Sequence, residues 1–322
     1  MDAQQVRRLI NEQARLGLPF LFGVDFELKE GFFVEDPLTD SSILFRCGAV
    51  GNEGVAPRFT QTPQIEVGEM SRRSYLDHFS IIRDGLLHGD CFLANLTERT
   101  PIRTNCSLEE IFYRSGSYYK LYYPNRFVCF SPECFVRIAH GQIHSYPMKG
   151  TIDATIPNAE EQLLSNYKEL AEHYTIVDLI RNDLSMVAKR VRVARFRYVD
   201  RLETLHGEIL QTSSEVVGQL DDDWQAHLGD SLFRLLPAGS ISGAPKASTL
   251  DLIRRAEAVP RGFYTGVFGY FDGQTLDSAV MIRFIEEKDG SLFFRSGGGV
   301  TIQSSAEAEY DEVRTKIYLP FV

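Results

Sequence analysis

Asn158-Ala-Glu-Glu-Gln-Leu-Leu-Ser-Asn-Tyr-Lys-Glu-Leu-Ala-Glu-His-Tyr-Thr-Ile-Val-Asp-Leu-Ile-Arg-Asn-Asp183 is the stretch from which the fold is read. Leu163, Leu164, Tyr167, Leu170, Tyr174 and Val177 make an apolar stripe at helical spacing, which predicts one long helix over 158–188. Asn158 with Glu161 supplies its N-terminal cap. Strands are expected next at 191–199 and 206–220, then a helix at 224–235 and a glycine-containing loop at 237–245.

Upstream, the first 60 residues alternate short apolar runs with turn residues, which reads as β structure. Leu76, Phe79, Ile82 and Leu86 predict a helix over 75–88, closed by Gly89. Ser107 and Glu110 cap a short helix, and 118–148 is β-rich with a hairpin at His140-Gly141. Asp272-Gly273 and Asp289-Gly290 mark turns, and a last helix covers 306–318. Strands and helices interleave without regular βαβ alternation, so the fold class is α+β.

The 322 residues carry 34 Lys+Arg against 44 Asp+Glu, a formal net charge of −10. That balance, with no Lys/Arg cluster, argues against nucleic acid as a partner. No apolar run approaches the roughly 18–20 residues of a membrane span, and no secretory leader is visible. Cys47, Cys91, Cys106, Cys129 and Cys134 are an odd set without CxxC spacing, so thiols in a cytoplasmic setting are expected rather than disulfides or zinc.

Several side chains carry possible chemistry. Glu169 and Glu172 share a helix face, as do Glu309 and Glu312, with Lys316 one turn further on. If the two helices meet, four carboxylates suit a hard cation such as Mg²⁺; from spacing alone, solvated acidic faces remain the ordinary reading. Gly239-Ser-Ile-Ser-Gly-Ala-Pro-Lys246 lacks the spacing of a phosphate loop. Gly297-Gly-Gly299 follows the strand 291–296 and is read either as an anion-binding set of amides or as a tight bend. Lys149 is a nucleophile if its pKa is lowered, and Glu133 a general acid if its pKa is raised.

Taken in order, Ser131-Pro-Glu133, Pro147-Met-Lys-Gly-Thr151, Ala171–Asp183, Pro237–Lys246, Arg261-Gly-Phe-Tyr-Thr-Gly266, Ile282-Arg283, Gly297–Val300 and Glu309–Lys316 resemble the chorismate-utilising enzymes over roughly residues 75–318. The resemblance implies a large α/β/β/α sandwich with the site between its sheets and helices. It divides the chain into a short N-terminal β-rich segment, 1–70, packed on a catalytic domain, 71–322. It also implies that Glu172 and Glu309 hold Mg²⁺, with Glu169 and Glu312 lining the same site. Tyr264, Arg283, Lys316, Ser242 and the amides of Gly298 and Gly299 would bind the carboxylates of chorismate.

Lysine at position 149, where anthranilate synthases usually carry alanine, resembles the aminodeoxychorismate synthase component I branch. There Lys149 would attack C2 while Glu133 helps the C4 hydroxyl leave, and ammonia would then add at C4. Isochorismate and salicylate synthases place a lysine base where this chain has Leu93, which disfavours water as the nucleophile. The short N-terminal region implies no feedback by tryptophan. No glutaminase or lyase motif is visible, so ammonia would come from a separate glutamine amidotransferase subunit or from solution. Anthranilate synthesis, or a degenerate binding subunit, remain the alternatives.

Overall fold

The computed structural model describes residues 1–322 except Leu205, His206, Ala258 and Val322, and the side chains of Lys168 and Thr204. The first residue of the strand expected at 206–220 thus lies outside the described residues. Among those described, two nine-stranded sheets dominate, and their strand pairs are antiparallel. The first runs Met148–Asp153, Gly207–Gln219, Gln142–Ser145, Cys134–Ala139, Leu276–Val280, Val267–Phe271, Phe20–Val24, Gly31–Glu35, with Lys189–Thr204 also on Gly207–Gln219. The second runs Gly243–Ala244, Leu93–Thr104, Ser291–Val300, Phe284–Lys288, Phe127–Ser131, Tyr119–Tyr123, Leu44–Cys47, Val50–Gly51, with Ile65–Val67 also on Leu93–Thr104.

The layers follow from where each element hides its apolar face. Leu21, Phe32, Phe45, Leu121, Phe127, Tyr264, Phe268 and Phe284 form a core between the two sheets. Helices Ala3–Arg15, Tyr167–Ser185 and Leu228–Leu235 bury a second core against the outer face of the first sheet. Helices Arg72–His88, Lys246–Ala256 and Ala306–Thr315 cover the second sheet near the strands Leu93–Thr104 and Ser291–Val300. Leu108–Arg114 covers its far end. This is the α/β/β/α sandwich expected above, with α+β composition.

Residues 1–70 begin with a helix, which the β reading of this region missed, and continue as strands of both sheets. Asp2 caps that helix by accepting from the Gln4 amide. The expected long helix is broken: Ala159–Ser165 and Tyr167–Ser185 meet at Asn166, whose side chain accepts from the Glu169 amide. Asn158 is left-handed at φ 55° and makes no side-chain cap, so the true cap lies eight residues further on. Helix Lys246–Ala256 was not anticipated, and the last helix ends at Thr315.

Candidate active site

Two of the places where the chain passes from one sheet to the other deliver a polar side chain to the same cavity. Ser131 ends a strand of the second sheet and Cys134 starts one of the first, so Glu133 stands on the crossing. Val280 ends a strand of the first and Phe284 starts one of the second, which places Arg283, at φ 52°, on the return. A non-glycine residue in that left-handed region is costly unless its surroundings hold it. The cavity encloses about 460 Å³. Its walls include Glu133, Lys149, Glu172, Tyr264, Arg283, Gly298, Gly299, Glu312 and Lys316, residues separated by up to 183 positions in sequence (316 − 133). Leu93 is also in the wall.

Lys149 reaches in from the strand Met148–Asp153, and its Nζ lies 2.9 Å from Glu172 Oε2. Burial pulls the ammonium pKa down, but the carboxylates of Glu172, Glu312 and Glu169 outweigh it and hold the pKa above its usual value. Glu133 shows the reverse balance. Burial raises its pKa above the ordinary carboxylate range, against opposing pulls from the Ser240 hydroxyl, Arg283 and Lys316. The Ser240 hydroxyl donates to Glu133 Oε1. Burial likewise pushes the Tyr264 phenol up to about 12, against Arg261 and Arg295 beside it.

The strand does not end at 296, and the glycines do not form the tight bend that is one of their two readings. Gly297, Gly298 and Gly299 stay in antiparallel register with Thr97, Leu96 and Asn95, so they extend the strand itself. Their role is close approach. A Cβ at Gly298 would stand 3.2 Å from Glu309 Oε2 and 3.5 Å from Glu312 Oε1. Lys316 Nζ donates to Gly297 O at 2.7 Å and to Glu312 Oε1 at 2.6 Å.

The four acidic residues divide in position. Glu172 and Glu312 line the cavity. Glu309 is 9% exposed and faces Gly298, with its pKa raised by burial and by Glu312. Glu169 lies against Gly150, where an added Cβ would come within 2.9 Å of Glu169 Oε2. Among the described residues, no three His, Cys, Asp or Glu side chains form a ready metal-binding group; Lys149 and Lys316 instead pair with Glu172 and Glu312. The donors nonetheless suit a hard cation in kind: they are all oxygen and come from two helices, and Gly298 puts no side chain against Glu309 and Glu312.

Ser242 is a correction. It is fully buried, and its hydroxyl donates to Ala238 O at 2.8 Å, within the turn Gly239–Ser242. Ser240 lines the cavity in its place. Two residues advance a helix by about 200°, so the two serines face opposite ways and only one can meet the site. The flanking sequence does not say which. The motifs around them are tied together by packing: Lys246 Nζ donates to Leu235 O at 2.8 Å and lies 3.5 Å from Asp183 Oδ2. A Cβ at Gly239 would strike that same Asp183 oxygen at 2.6 Å.

Comparison with known proteins accords with this geometry. Residues 44–320 match the model of the chorismate binding enzyme family. An uncharacterized PabA-like protein of Pasteurella multocida is 51% identical over 94% of this chain and 94% of its own length. Anthranilate synthase component 1 of Acetivibrio thermocellus is 34% identical over 76% of this chain and 50% of its own length. Aminodeoxychorismate synthase component 1 of Salmonella typhimurium is 31% identical over 77% of this chain and 57% of its own length. Among solved structures, the menaquinone-specific isochorismate synthase of Escherichia coli covers 98% of this chain at a TM-score of 0.74 and 17% identity, a likeness of fold. The site and the family match lead to one assignment: the chain belongs to the chorismate binding enzymes.

Proposed function

We propose that the protein is an aminodeoxychorismate synthase component I, converting chorismate and ammonia to 4-amino-4-deoxychorismate for p-aminobenzoate and folate synthesis. The observation that carries the reading is Lys149, whose amine enters a cavity shared with Glu133, Arg283, Tyr264 and Lys316. The likeness to the Salmonella typhimurium aminodeoxychorismate synthase supports it. The greater identity to an anthranilate synthase keeps anthranilate formation as the second reading.

Lys149 attacks C2 of the ring, and both conjugated ring double bonds shift, from C1=C2 to C1=C6 and from C5=C6 to C4=C5, as the C4 hydroxyl leaves as water with a proton from Glu133. Ammonia then bonds to C4, the C2–N bond breaks, and Lys149 regains its free amine. Dividing one difficult substitution into two is what a covalent nucleophile achieves. Attack requires an unprotonated amine, so the 2.9 Å Lys149–Glu172 ion pair must open first. Glu133 suits a proton donor because burial keeps its proton on to higher pH than an ordinary carboxyl. Arg283, Lys316, the Tyr264 phenol and the glycine-strand amides would receive the two substrate carboxylates.

Glu172 and Glu309, with Glu169 and Glu312 beside them, would hold Mg²⁺, which when bound supplies charge stabilisation at the substrate. Ammonia would come from a separate glutamine amidotransferase subunit. None of the helices described is long and apolar enough to cross a membrane.

The test is product identification from chorismate, Mg²⁺ and ammonium, with and without an added aminodeoxychorismate lyase. p-Aminobenzoate that forms only with the lyase supports the reading. Fluorescent anthranilate would replace it with the second.

A further inference from the structure

Arg295 lies outside every role given above. It sits on the glycine strand two residues before Gly297, is 2% exposed, and lines the cavity. Its guanidinium stands over the Tyr264 ring, 5.3 Å from the centroid. One Nη donates to Pro260 O at 3.2 Å, while Nε is buried without a hydrogen-bond partner. A buried donor left unpaired is costly, and the cost falls when a ligand accepts from it.

The charge balance around it points the same way. Arg261, the neighbouring guanidinium, is matched by Glu257 at 2.8 and 2.6 Å. Arg295 has no such match. Its carboxylate, Glu286, stands 3.5 Å away and is shared with Arg99 at 3.9 Å. Glu286 Oε1 is itself buried without a hydrogen bond. Glu98, which also feels Arg295, is engaged by His78 Nδ1 at 2.8 Å. Arg283, also in the cavity wall, has a second unpartnered buried Nε. The Tyr264 end of the cavity therefore holds two buried guanidinium groups with unspent donors, a setting that suits an anion.

We propose that Arg295 is a specificity-determining residue that binds, at the Tyr264 end of the cavity, the carboxylate that a dicarboxylate substrate carries on its ether side chain rather than on the ring. The proposal rests on the chorismate reading above and extends it to a residue the sequence motifs did not single out. Arg295 and Arg283 together offer donors to two carboxylates, and a ligand with only one leaves a buried Nε donor unspent.

The test is binding, by titration calorimetry, of two non-reacting ligands. One is a benzoate carrying a 1-carboxyvinyl ether at the meta position; the other is meta-methoxybenzoate, which lacks the second carboxylate. Arg295→Gln is expected to weaken the dicarboxylate about 10- to 100-fold and leave the monocarboxylate unchanged, the effect of losing one charge-assisted hydrogen bond. Arg295→Lys, which keeps the charge and most of the stem, should recover part of the loss. Equal weakening of both ligands, or of neither, would overturn the proposal while leaving the chorismate reading standing. Wild-type protein that binds neither ligand, nor chorismate, would overturn both.

Discussion

Replacing Glu133 by glutamine keeps the shape of the side chain and removes the one proton the proposed first step needs. The carboxyl is buried on the crossing between the sheets, accepts from Ser240, and feels Arg283 and Lys316. Glutamine can still accept from Ser240, so the loop has no reason to move. The loss is then that of a general acid, about 10²–10⁴-fold in kcat, equivalent to about 2.7–5.4 kcal/mol of transition-state stabilisation. The pH profile carries the finer test. Glu133 acts in its protonated form, and burial raises its pKa. Activity therefore persists below that raised value and falls as pH climbs through it. Ser240 opposes the rise by donating to the ionised carboxylate, so Ser240→Ala should move the falling limb to higher pH, and Glu133→Gln should abolish the limb. The assay is steady-state chorismate consumption across pH at saturating Mg²⁺ and ammonia. A Glu133→Gln enzyme with near wild-type kcat, or one that keeps the same falling limb, would refute the general-acid role.

Lys149→Ala should lower aminodeoxychorismate formation by at least about 10³-fold, the order seen when a catalytic nucleophile is removed. Residual product, followed by fluorescence, should shift toward anthranilate from direct attack of ammonia at C2. Glu172→Gln and Glu309→Gln should each raise the Mg²⁺ concentration for half-maximal turnover by roughly 10-fold or more, read from Mg²⁺ titrations; an unchanged midpoint would remove that residue from the ligand set. Arg261→Met should destabilise the fold by about 3–5 kcal/mol in urea unfolding, because Glu257 would stay buried without its partner. The Ile241 and Asn95 carbonyls, which accept from Arg261 at 2.8 and 2.6 Å, would lose their donors as well.

Where the sequence spoke through local chemistry it was legible. Ser107 accepts from the Glu110 amide as its spacing implied, and His140-Gly141 turns the hairpin between Cys134–Ala139 and Gln142–Ser145. The helix Ala3–Arg15 escaped notice because its buried face is only Ala3, Val6, Ile10 and Ala14 among polar residues. The break at Asn166 was hidden because the apolar stripe runs on through it; a side-chain cap competes with periodicity and wins locally. Within the site, Lys149 and Glu133 share a cavity as the motifs implied. The i, i+3 carboxylates share helix faces, yet Lys149 and Lys316, distant in sequence, pair with two of them. Ser240 and Arg295 depend on which way a turn or a strand faces, and that is decided only when the two sheets pack.

The central claim is a covalent bond from Lys149 to the substrate ring. The direct measurement is peptide mass spectrometry of protein mixed with chorismate and Mg²⁺ in ammonia-free buffer and acid-quenched within seconds. The account predicts an adduct of chorismate less one water on the peptide carrying Lys149, absent from Lys149→Ala and discharged as aminodeoxychorismate when ammonia is added. Steady aminodeoxychorismate formation with no adduct on Lys149, or an equal rate in Lys149→Ala, would contradict it.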